Sequence, residues 1–139
     1  MNKLAGICRA LRKESLPDMP HKILIVEDNA LNRVLLLAVL KPEGYELLLA
    51  ENGLRGVEVA QLEQPQLILM EVLLPGLNGY EATRRLKANP ATQHIPIIAM
   101  GAAAEPAERD RALDAGCDGY LAKPIDTRAL PHQVRLFLP

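Results

Sequence analysis

From residue 22 onward, short and almost unbroken apolar runs alternate with longer segments in which apolar residues recur at helical spacing. The runs fall at 23–26 (ILIV), 45–50, 67–70 (LILM), 95–100 and 120–122, and each predicts a strand. Between them the pattern predicts helices at about 31–41, 54–63, 79–88 and 106–115, with a last one near 128–138. Gly44, Gly53, Gly79 and Gly116 mark the boundaries, and Pro42, Pro65 and Pro90 stop the helices from running on. A strand that is apolar at every position must be buried on both faces, which an antiparallel sheet with one wet face does not require. Parallel strands joined by right-handed helical crossovers satisfy it, with helices above and below the sheet. The expected fold class is therefore α/β: a doubly wound, five-stranded parallel sheet in a three-layer sandwich. Ligands in such sheets bind beyond the carboxyl ends of the strands, where strand order reverses.

Composition removes several classes. The 139 residues suit one domain, and no apolar run approaches the ~18 residues of a membrane-spanning helix. No continuous apolar stretch before a cleavage site marks a signal peptide, so a cytoplasmic location is the default expectation. Residues 1–22 hold five basic and two acidic side chains and the remainder eleven and fifteen, for a formal net charge of −1. A weakly acidic body does not provide the basic face that a phosphate backbone needs, so no nucleic-acid partner is expected. Arg84, Arg85 and Lys87 read as a solvated helix face. Cys8 and Cys117 have no CxxC spacing and read as passive thiols, and Ser15, the only serine, falls outside the expected domain, so serine hydrolysis is not expected.

The strand ends carry the chemistry. Glu27 and Asp28 follow the first strand, Glu71 the third, Gly101 and Ala102 the fourth, and Lys123 with Pro124 the fifth. Three carboxylates brought together favour a hard cation, and Mg²⁺ takes a few carboxylate oxygens plus water. A lysine opposite them serves a phosphoryl group or neutralises a carboxylate. The acidic VEDNALN turn argues against a flavin or nucleotide, whose phosphate prefers a glycine- or hydroxyl-rich loop.

The segments KILIVEDNALNRVLL, PQLILMEVLLPGLNGYEATRRLK, IPIIAMGAAA and GCDGYLAKPID resemble the receiver domain of two-component response regulators over about residues 21–138. The separations of 43, 30 and 22 residues between positions 28, 71, 101 and 123 agree with that family. The resemblance implies a flavodoxin-like fold of strand order 2-1-3-4-5 and a switch in which an aspartate ending the third strand takes a phosphoryl group from a histidine kinase. It assigns Glu27 and Asp28 to the acidic pair for Mg²⁺, the Leu73 backbone carbonyl to the same ion, Lys123 to the phosphate contact and Tyr120 to the aromatic switch. It also implies a cis Lys123–Pro124 bond.

Two positions depart from the family. Glu71 stands where the family has the phosphoacceptor aspartate, and Gly101 where it has Ser or Thr. One extra methylene shifts the nucleophilic oxygen by roughly a bond length. Misplacement of ~1 Å can cost on the order of a hundredfold in rate. Gly101 removes a hydroxyl whose charge-assisted bond is worth roughly 1.5–3 kcal/mol. The expected function is a stand-alone receiver-like module, not an enzyme, that acts by protein–protein contact without phosphorylation: a pseudo-receiver, with Mg²⁺ as a weak candidate ion at Glu27, Asp28, Glu71 and the Leu73 carbonyl. The rival reading is a phosphorylatable regulator, or a constitutively active one in which Glu71 reaches Lys123 as a phosphate mimic. At ~4 Å and an effective dielectric near 20 that attraction is about 4 kcal/mol before desolvation.

Because the sequence ends at Pro139, soon after the fifth helix, output is expected through another protein: a histidine kinase, a phosphotransfer protein or an output protein. The 34–40 stretch, VLLLAVL, is apolar beyond one stripe and offers a surface for it. Asp126 is placed to cap the fifth helix, but Pro131 predicts a late start or a kink. Residues 1–20 are expected to be an extension, as a short amphipathic helix through Leu4, Ile7, Cys8 and Leu11 or as disorder, and residues 21–139 the receiver-like domain, monomeric or weakly dimeric.

Overall fold

The computed structural model describes residues 20–102 and 105–139. The amphipathic or disordered segment expected over 1–20 lies outside the described residues, Pro20 excepted.

Among the described residues, five strands form one parallel sheet in the order β2-β1-β3-β4-β5. The strands are β1 (Lys22–Val26), β2 (Glu46–Ala50), β3 (Leu67–Glu71), β4 (Ile97–Gly101) and β5 (Gly119–Ala122). The helices are α1 (Ala30–Leu40), α2 (Gly53–Glu63), α3 (Gly79–Ala88), α4 (Pro106–Ala115) and α5 (Leu130–Phe137). A 3-10 turn, Lys41–Glu43, follows α1 because Pro42 cannot continue the helix.

The period of two along each strand divides the core. Leu24, Val26, Ile68, Met70, Ile97 and Ala99 pack on the face covered by α2, α3 and α4. Ile23, Ile25, Leu67, Leu69, Ile98 and Met100 pack on the other, with Leu36 and Leu40 of α1 and Leu130 and Val134 of α5. The expected three-layer, doubly wound sandwich is thus present, with both faces of β1, β3 and β4 buried.

Asparagines start three helices: the side chains of Asn29, Asn52 and Asn78 accept from the backbone N–H of Asn32, Arg55 and Glu81 at 3.0, 2.8 and 2.9 Å. Pro131 falls in the first turn of α5, where its missing N–H costs nothing. The helix accordingly starts late, and Asp126 caps the preceding turn through Arg128 N and Ala129 N.

Candidate functional site

At the carboxyl end of the sheet, β1 delivers Glu27, β3 delivers Glu71 and β5 delivers Lys123. Glu27 is held by backbone on both sides: its N–H donates to Ala50 O at 3.0 Å, and its carbonyl accepts from Arg33 Nη1 at 2.8 Å. Glu71 is the last residue of β3, and Val72 N continues the ladder to Met100 O at 2.9 Å. Gly79, opening α3, lies directly on this strand end. A Cβ there would come within 2.9 Å of the Glu71 carbonyl carbon and of Val72 Cα, so only glycine lets α3 approach. Lys123 N donates to Gly101 O at 2.7 Å, which fixes the lysine beside the end of β4. The Lys123–Pro124 bond is cis, as the resemblance implies.

Glu27 is fully buried and Glu71 is 4% exposed. Lys123 Nζ bridges them, donating to Glu27 Oε1 at 3.0 Å and forming an ion pair with Glu71 Oε2. Glu71 Oε1 accepts from Leu73 N at 3.2 Å. Burial raises the Glu71 carboxyl pKa; the Lys123 ammonium opposes the shift and the Glu27 charge adds to it. For Lys123, burial alone favours the neutral amine, but its bonds to Glu71 and Glu27 outweigh that and leave its pKa raised. Two buried carboxylates thus share one ammonium.

The other expected site residues are arranged less tightly. Asp28, Leu73, Ala102 and Pro124 are exposed. Gly101 is buried against Tyr120, whose ring packs on the α2–α4 face of the sheet. Glu27 Oε2 is buried without a hydrogen-bond partner, an oxygen that a metal ion would find free. Against that, no three His, Cys, Asp or Glu side chains among the described residues are grouped closely enough to hold an ion. Mg²⁺ demands a near-octahedral oxygen shell, and the cation at the centre of these carboxylates is Lys123. As arranged, the two carboxylates are turned to Lys123 rather than to an open oxygen shell.

Sequence reasoning missed a polar cluster beside Gly101. The Tyr80 hydroxyl donates to Glu108 Oε2 at 2.8 Å, and the Arg111 guanidinium lies 5.4 Å from the centre of its ring. Burial, then the Glu108 carboxylate, pushes the Tyr80 phenol up to about 12. Lys87 also departs from the expected solvated face. Its Nζ donates to Ile95 O at 2.8 Å and Asp118 Oδ2 at 3.0 Å, and that carboxylate oxygen accepts from Ile97 N at 2.8 Å, pinning the start of β4. No periodicity reveals such long-range pairs. Cys117 is buried beside Thr83 with its thiol pKa raised by burial, in keeping with a passive thiol.

The family model for the response regulator receiver domain matches residues 23–135. The chain belongs to the response-regulator receiver family. It is 37% identical over 120 residues to the polar-differentiation response regulator DivK of Brucella anthropi, covering 86% of this chain and 98% of DivK. Its fold is also that of the receiver domain of the sensor histidine kinase PA1611 from Pseudomonas aeruginosa, at 36% identity and a TM-score of 0.79 over 86% of this chain and 98% of that one. The PA1611 receiver holds a magnesium ion in its active-site cleft. The receiver domain of Saccharomyces cerevisiae Ssk1, crystallised with the histidine phosphotransfer protein Ypd1, is similar at 28% identity and a TM-score of 0.78, over 85% of this chain and 88% of that one. This receiver is therefore a module of two-component signalling, with the flavodoxin-like strand order expected from its sequence. No helix among the described residues is long and apolar enough to cross a membrane.

Proposed function

We propose that this receiver signals by protein–protein contact without being phosphorylated. The observation that carries the reading is the state of Glu71. One oxygen is paired with Lys123 and the other accepts the Leu73 N–H, so the carboxylate at the acceptor position is already engaged and anchored. Attack on a phosphodonor requires a carboxylate free to approach phosphorus, and here the lysine that would meet the incoming phosphoryl group is engaged with the would-be nucleophile. Gly101 supplies no side-chain donor for that group. Mg²⁺ binds weakly on this reading, because the ion must displace Lys123 from Glu27 and Glu71.

The partner is a protein: a histidine kinase, a phosphotransfer protein or an output protein. Leu31, Val34 and Leu35 of α1 are 80%, 62% and 42% exposed, and beside them a groove of about 390 Å³ runs past Leu36, Met100 and Ile125 to Lys123. An apolar face beside the site suits such contact.

The Glu71–Lys123 pair also favours a second reading, in which Glu71 imitates the phosphorylated state. The two readings differ in Glu71→Gln. A mimic loses partner affinity with the charge, whereas a phosphorylation-independent scaffold keeps it. The primary test is intact-protein mass after incubation with acetyl phosphate and Mg²⁺. The expected result is no gain in mass. A gain of one phosphoryl group that hydroxylamine removes would overturn the proposal.

A further inference from the structure

Gly101 ends β4 in a backbone conformation that any L-residue adopts, and it is buried. Glycine inside a strand is unfavourable unless another group needs the space of its missing side chain. Here that group is Tyr120. In the sheet Tyr120 pairs with Ala99, two residues before Gly101, and its ring leans along the strand to cover the glycine. A Cβ at position 101 would lie 2.8 Å from Tyr120 Cε1 and 2.9 Å from Cζ, with the phenol oxygen closer still. A side chain at 101 and the ring in this position exclude each other.

We infer that Gly101 is a positioning residue: its missing side chain seats the Tyr120 phenol over the end of β4, so that the β5–α4 surface keeps one form whatever the charge or chemistry at Glu71. The inference rests on the phosphorylation-independent reading and deepens it, since the ring already fills this place with Glu71 unmodified. The phenol occupies the volume that a side chain at position 101 would fill.

Two measurements on the full chain test it. With ¹³C-labelled tyrosine and the Tyr120 signal assigned through Tyr120→Phe, the ring protons should show cross-relaxation to the Gly101 α-protons. Glu71→Asp and Glu71→Gln should leave the Tyr120 shifts in place, while Gly101→Ala and Gly101→Ser should move them. Absence of the cross-relaxation in the wild-type chain, or a Tyr120 signal unmoved by Gly101→Ser, would overturn the inference. The second measurement is a double-mutant cycle by urea unfolding, which reads the contact even where Gly101→Ser folds poorly. Gly101→Ala should raise the unfolding constant about fivefold, the low end of overpacking, because the ring tip that meets the new Cβ can swing aside. In the Tyr120→Ala background the same change should lower that constant about two- to fivefold, as Ala normally does relative to Gly in a strand. Equal costs in both backgrounds would overturn the inference. Failure of the phosphorylation-independent reading appears separately, as a phosphoryl mass gain.

Discussion

Lys123 determines how the site behaves, because two buried carboxylates depend on it. Removing one partner of a buried ion pair leaves an uncompensated charge and costs about 3–5 kcal/mol. Lys123→Met should therefore destabilise the fold by about that much in urea unfolding at neutral pH. Glu71→Gln should do the reverse, because it removes the charge in excess and leaves Lys123 paired with Glu27. The pH dependence follows from the raised pKa of Glu71. The folded chain holds that proton more tightly than the unfolded chain, so this contribution is fully present below the ordinary value of 4.5 and is lost as pH rises through the raised one. Lys123, also raised, keeps its contribution below 10.5 and loses it as pH climbs through its folded value. Stability measured across the acid window should thus fall with rising pH more steeply in the wild-type chain than in Glu71→Gln. Parallel curves would contradict this account of the site.

At the scale of elements, α3 is where fold and site are joined. Its first residue, Gly79, touches the backbone of Glu71 and Val72, and neither neighbour is a flexible side chain able to move aside. Gly79→Ala should cost about 1–3 kcal/mol or more by overpacking, against about 1 kcal/mol for removing the α3 cap with Asn78→Ala. Both are read as shifts of the urea midpoint at unchanged slope. The elements themselves were largely legible in the sequence. Runs such as ILIV and LILM can be satisfied only by strands buried on both faces, and Pro131 announced the late start of α5. Boundaries slipped where no side chain announces them: β4 starts at Ile97 rather than at 95, and β3 extends to include Glu71. The positions at the strand ends were legible by spacing, and so was the reach of Glu71 to Lys123, but the second carboxylate on that lysine, Glu27, was not. That one ammonium serves Glu27 and Glu71 together, that Tyr120 lies over Gly101, and that Lys87 reaches the start of β4 all depend on side-chain directions set by tertiary packing.

For the whole molecule, the decisive quantity is which cation the sheet edge keeps. A ligand that binds only the folded state adds RT ln(1 + [L]/Kd) to stability. If Mg²⁺ has to displace Lys123, its apparent Kd lies at or above the concentration used, and 10 mM Mg²⁺ adds at most roughly 0.4 kcal/mol. The melting temperature of the wild-type chain should accordingly be the same within error in 10 mM MgCl₂ and in EDTA, at matched ionic strength. Lys123→Met should behave differently: Glu27 and Glu71 then lack their shared cation, Glu27 Oε2 already has no partner, and a divalent ion meets carboxylates with nothing to displace. The variant should regain part of its lost stability with Mg²⁺, and adding Glu71→Gln should remove that response. A magnesium-dependent shift of several degrees in the wild-type chain would show that Lys123 yields readily. The site would then be poised for phosphotransfer chemistry, and its carboxylates would be held apart by the lysine only until an ion arrives.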